Sequence, residues 1–77
     1  MKELLRWLSA KSKKSDGATT QQIIRHVMSE ISSLGATERR SMGYIETLSK
    51  LGFITLYRLK WKTTPIAENW LQIHKGL

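Results

Sequence analysis

The chain has no cysteine. That excludes a disulfide framework and any thiolate metal site, so packing alone, or a partner subunit, must hold the fold. Carboxylates are scarce: 6 Asp plus Glu stand against 13 Lys plus Arg. No glycine-rich phosphate loop, Ser-His-Asp grouping or closely spaced acidic pair is present. The two histidines, His26 and His74, fall on different predicted helices with no cysteine to assist, which argues against zinc. These gaps leave no candidate catalytic residue, no metal ligand set and no cofactor site. The expectation is therefore a non-enzyme without a small-molecule substrate. No apolar run approaches the roughly 20 residues needed to cross a bilayer. The opening MKELLRWLSAKSKK lacks the uninterrupted apolar stretch of a secretory signal. A cytoplasmic, nucleoid-associated location with no membrane partner is expected by default.

What is abundant is positive charge. The net charge is +7 over 77 residues, with a pI near 10.2. A field of that sign points to an anionic partner, with nucleic acid ahead of an acidic membrane surface. The length fits one domain spanning 1–77, and 40% apolar residues suffice for a small core.

Periodicity gives the order of elements. From Met1 to about Lys14, Met1, Leu4, Leu5 and Leu8 share one arc with Trp7 at its edge. Lys2, Arg6, Ser9 and Lys13 face the other way. Ser15-Asp16-Gly17 carries turn chemistry, beside a basic cluster of Lys11, Lys13 and Lys14. Thr19 and Gln22 have the spacing of a capping box and open a second helix, with Ile23, Ile24, Val27, Met28 and Ile31 as its stripe. The Leu34-Gly35-Ala36 segment reads as a turn.

Thr37 then starts a third helix of about four turns that ends at Gly52. Its inner face carries Tyr44, Ile45, Leu48 and Leu51, with Met42 at the margin. Arg39, Gly43, Glu46 and Lys50 fall on the outer face, flanked by Arg40 and Thr47. The apolar, β-branched segment from Phe53 to Lys62 predicts one long strand or a tight hairpin, with its bend near Tyr57 to Leu59. Simple alternation sets Thr55, Tyr57, Leu59 and Trp61 on one side, opposite Ile54, Leu56, Arg58, Lys60 and Lys62. Thr64 and Pro65 start a last helix, with a stripe of Ile66, Trp70, Ile73 and Leu77 and with Leu71 to the side. The fold class expected is mostly α with a small hairpin, in the order helix-helix-helix-strand-strand-helix. The opening Met1 and the capped last helix favour a whole small protein over an excised piece.

In the third helix and its exit, Thr37-Glu38-Arg39-Arg40 precedes Ile45, Leu48 and Leu51-Gly52-Phe53-Ile54. This stretch resembles the recognition helix and wing entry of winged helix-turn-helix domains, in particular those of archaeal Orc1/Cdc6-type initiators. The resemblance covers about twenty residues, and the wing lacks the family's glycine and arginine tip. It implies that Arg39 and Arg40 sit at the mouth of the major groove and that the residues after Phe53 form the wing.

The residues support a duplex reader independently. A helix N-terminus carries partial positive charge and free N–H groups. Arg39 and Arg40 add bidentate donors for guanine edges or phosphates, and Gly43 leaves the backbone open to close approach. The candidate DNA-binding set is Thr37, Arg39, Arg40, Gly43, Tyr44, Thr47 and Lys50, with Arg58, Lys60, Lys62, Lys11, Lys13 and Lys14 as phosphate grips. A homodimer or partner surface is sought among Leu4, Trp7, Trp70, Leu71, Ile73 and Leu77. The expected function is sequence-specific binding of double-stranded DNA in transcription regulation or replication. The alternatives are a winged-helix protein-interaction module, and an RNA or single-strand binder using Tyr57, Trp61 and Phe53.

Overall fold

The computed structural model describes residues 2–30 and 37–74. The expected element order is found: α1 (Lys2–Ser15), α2 (Thr20–Glu30), α3 (Glu38–Lys50), β1 (Ile54–Tyr57), β2 (Lys60–Thr63) and α4 (Pro65–Ile73). The fold is mostly helical with one antiparallel hairpin. The expectations for Met1, Ile31, the 32–36 turn and Leu77 lie outside the described residues.

Helix ends follow local chemistry. At α2 the capping box closes both ways: Gln22 N–H donates to Thr19 Oγ1 (3.2 Å), and Thr19 N–H donates to Gln22 Oε1 (2.9 Å). Thr37 caps α3 by accepting from Arg40 N–H at 3.2 Å, and Thr64 caps α4 ahead of Pro65. At the end of α3, Gly52 takes φ +80°. Its N–H donates to Ser49 C=O, and Phe53 N–H donates to Leu48 C=O. This is a Schellman closure, in which a left-handed glycine turns the chain straight into β1.

The core joins Leu4, Leu5 and Leu8 of α1 to Ile23, Ile24 and Val27 of α2. Ile45 and Leu48 of α3, Ile54 of β1 and Ala67 of α4 complete it. Several expected faces are shifted by the neighbours that pack on them. Ser9, expected outward, is buried, because its hydroxyl donates to the Glu68 carboxylate of α4 at 2.7 and 2.9 Å. Ser41 is fully buried with its hydroxyl satisfied by Thr37 C=O, while Leu51 and Met42 stay about half exposed. On α4 the inward residues are Ala67, Trp70 and Leu71, whereas Ile66 and Ile73 stand in solvent.

The hairpin turns through Arg58-Leu59, within the expected bend. Tyr57 pairs with Lys60, Leu56 with Trp61, Thr55 with Lys62 and Ile54 with Thr63. A two-residue loop reverses the parity of the second strand. Tyr57 and Thr55 therefore share a face with Lys60 and Lys62, and Trp61 joins Leu56 and Ile54 on the core side. This corrects the single-strand alternation expected from the sequence.

A third extended piece borders the hairpin: Ala18 and Trp61 exchange both backbone hydrogen bonds, at 2.7 and 3.0 Å. Gly17 makes that approach possible. Its φ is +108°, and a Cβ there would lie 2.2 Å from Trp61 C=O.

Candidate nucleic-acid interface

The outer row of α3 is open along its length. Arg39, Arg40, Gly43, Glu46, Thr47 and Lys50 are all exposed. The helix stands at this angle because Ile45 and Leu48 anchor it to the core and the Thr37 cap fixes its first turn. Neither arginine side chain has a hydrogen-bond or ion-pair partner among the described residues, and both are exposed at the positive end of the helix. Farther along, Lys50 pairs with Glu46 at 3.2 Å across one turn. That pairing partly offsets the Glu46 carboxylate, while Glu38 in the first turn is a second exposed carboxylate of the helix.

Gly43 lies between these charged ends. A Cβ built on it meets nothing within 4 Å. Its lack of a side chain therefore serves no internal packing, although glycine inside a helix is about 1 kcal/mol worse than alanine.

The other nominated residues separate into distinct roles. Tyr44 is half-buried against the core, off the outer row. Thr37 is exposed, but its oxygen already accepts the capping hydrogen bond. Lys60 Nζ donates to Ser15 C=O at 2.9 Å and closes the C-terminal end of α1. Arg58 and Lys62 lie over the Tyr57 ring, at 5.3 and 5.7 Å from its centroid. With Asp16 these four hairpin residues line a cleft of about 270 Å³. On α1, Lys11 lies 5.7 Å from the Trp7 ring, Lys13 reaches Glu68 at 3.7 Å, and Lys14 is exposed.

A shallow groove of about 420 Å³ runs between α3 and the hairpin. Met42, Ile45, Glu46, Ser49, Lys50 and Trp61 line it. From the ribbon it takes Trp61, on the core side, while Lys60 and Lys62 lie on the opposite face.

The expected partner surface is mostly internal. Leu4 is 1% exposed and belongs to the core, which removes it from any interface. Trp7 stacks on His26 with ring centroids 4.1 Å apart. Trp70 packs on Phe53 and His74, and Leu71 on the core. Of the nominated set, Ile73 remains exposed. Trp61 is partly buried: it packs on the core and its indole N–H donates to Thr20 Oγ1 at 3.0 Å.

Sequence reasoning missed Glu68. Its carboxylate accepts from Thr63 Oγ1 at 2.6 Å and from Ser9, and it pairs with Lys13. The Thr63 and Ser9 hydroxyls hold its pKa below the ordinary value, with Lys13 adding to them against the opposing effect of burial. A lone carboxylate on a helix next to apolar residues was the available signal. Among the described residues no group of three or more His, Cys, Asp or Glu could hold a metal ion, and no helix is long and apolar enough to cross a membrane. No family model, curated protein or solved structure matches the chain, so the geometry above carries the functional reading by itself.

Proposed function

We propose that this chain is a winged-helix module that binds double-stranded DNA, as a transcriptional regulator or a replication-associated factor. On this reading α3 enters the major groove with Arg39 and Arg40 leading. Thr47 and Lys50 lie along the same wall, and the hairpin cations and Lys14 grip phosphates. The observation that carries it is the outer row of α3: two exposed guanidinium groups with no partner among the described residues, beside a glycine at which an added Cβ would meet open space. Arginine reads guanine bidentately, at about 1–3 kcal/mol per contact. The phosphate contacts supply affinity without sequence choice.

Titration of duplex DNA at two salt concentrations tests this. Binding should weaken steeply with salt, and Arg39→Ala with Arg40→Ala should cost about 30-fold or more, the sum of two contacts at the low end of that range. Absence of binding at low salt, or a double variant that binds like the parent, would overturn the proposal.

A protein-docking role is favoured by a different observation: Leu51, Ile66 and Ile73 are 58%, 58% and 67% exposed. It predicts that Ile66→Ser with Ile73→Ser abolishes partner binding while the arginine pair is dispensable.

A further inference from the structure

A separate cleft of about 250 Å³ lies between the edges of the first two helices, and no residue of α3 lines it. Trp7 and Lys11 come from α1, where a separation of four residues sets them one above the other. Gln22, Arg25, His26 and Ser29 share one side of α2 for the same reason. The two helices meet there in the Trp7–His26 stack, with ring centroids 4.1 Å apart and planes 9° from parallel. The stack gives the cleft a flat wall, and Lys11 Nζ lies 5.7 Å from the indole centroid.

The charge of this cleft is one-sided. Lys11 and Arg25 bring two cations, and His26 adds a third when protonated. No carboxylate lines it. The hairpin cleft, by contrast, holds Asp16, the groove along α3 holds Glu46, and a neighbouring cleft that shares Arg25 holds Glu38. Neither the Lys11 nor the Arg25 side chain has a hydrogen-bond or ion-pair partner among the described residues. Two uncompensated cations on one small cleft repel each other, and an anion between them reverses the sign of that interaction. The donors narrow the anion. Gln22 Oε1 accepts from Thr19 N–H at 2.9 Å, which fixes the amide and leaves its NH2 group to donate. Ser29 commits its proton to Arg25 C=O at 2.7 Å and gives an anion nothing. What remains is a guanidinium fork, an ammonium, an amide and an imidazole, drawn from two helices. A carboxylate has two oxygens and one charge to set against them. A phosphate monoester has three acceptor oxygens and close to two charges.

We propose that this cleft binds a phosphate monoester. Arg25 grips it with its fork, Lys11 adds charge from the other helix, and Gln22 and His26 donate from the side. The site shares no residue with the outer row of α3, so it goes beyond the duplex-binding reading and stands or falls separately from it. The monoester arrives either on a small phosphate compound or as the terminal phosphate of a nucleic-acid strand.

The test follows the Trp7 indole and His26 ring resonances of the full chain by NMR, at fixed pH and low ionic strength, as inorganic phosphate is added. Chloride and acetate at matched ionic strength are the controls. Phosphate should move both resonances along a saturable curve, and the controls should not. Lys11→Gln with Arg25→Gln should raise the phosphate midpoint about tenfold or more. Neither side chain belongs to the core, so the double variant should melt near the parent. Arg25→Gln alone leaves α1 untouched and should already raise the midpoint several-fold. Equal shifts with chloride or acetate, or variants that respond like the parent, would overturn the site. A short duplex, with and without 5′-phosphates, then separates the sources. Shifts with the phosphorylated duplex alone assign the site to strand ends. Shifts with neither duplex assign it to small phosphate compounds. Equal shifts with both would overturn the monoester in favour of backbone phosphates. Loss of duplex binding on Arg39→Ala with Arg40→Ala bears on α3 and leaves the inorganic-phosphate result unchanged.

Discussion

Gly43→Ala should push stability and binding in opposite directions. Gly43 is an interior residue of the 13-residue α3, and an added Cβ there meets open space. Alanine restores the helix propensity that glycine forgoes, about 0.8–1.0 kcal/mol. For a domain of this size that is a rise of about 4–8 °C in melting temperature. Nothing in the fold offsets the gain, because no neighbour has to move. On the bound side the new methyl stands between the α3 backbone and whatever lies against it. Shifting the helix outward by the width of a methyl would loosen at least one arginine contact, a loss of about 1–3 kcal/mol, or roughly 5- to 150-fold in affinity. Thermal melts followed by circular dichroism, alongside fluorescence-anisotropy titration of a duplex, read both halves on one sample. A variant that melts higher and binds as well as the parent would refute close approach at Gly43. A variant that melts lower would refute the open space itself.

Two further outcomes follow from the packing around the hairpin. Glu68→Gln should lower the melting temperature at neutral pH. The folded-state pKa of Glu68 is depressed, so its ionised form stabilises the fold above the ordinary value of 4.5, and that contribution fades as pH falls through the lowered value. The gap between variant and parent should therefore narrow below about pH 4.5 and close in stronger acid; a gap that persists unchanged in acid would show that the carboxylate's charge is not what stabilises. Gly17→Ala should cost at least about 2–3 kcal/mol, since it combines a positive φ with a Cβ placed 2.2 Å from Trp61 C=O; a chemical-denaturation midpoint equal to the parent's would mean that Ala18 does not pair with Trp61 as described.

The legible parts of this chain are those decided within one turn of backbone. Thr19 with Gln22, Thr37, Gly52 and Thr64 with Pro65 each announce a helix end, because their partners lie two to four residues away. The illegible parts depend on what arrives from elsewhere in the chain. Nothing in ITLYRLKWKT marks a turn, because the two residues that take the left-handed backbone are arginine and leucine, and so simple alternation puts Lys60, Trp61 and Lys62 on the wrong faces. Ser9 looked like a surface residue until Glu68 came to meet it from 59 residues away. Leu51, Ile66 and Ile73 looked like core because a helical wheel records which residues share a side, not how wide a strip the neighbours cover. On α3 the outer row was readable, since polar and apolar residues alternate there with the helical period. Tyr44, placed on the inner face by the same period, is half-buried against the core.

The carboxylate that joins Ser9, Lys13 and Thr63 has one more implication. It clasps the first helix, the second strand and the last helix at a single point, so the two extremes of the described chain are fastened together there. The third helix is anchored separately, through Ile45 and Leu48 in the apolar core. Loosening the clasp would let the opening and closing helices slip as a pair, with the ribbon between them going slack, while the arginine-bearing helix kept its own footing.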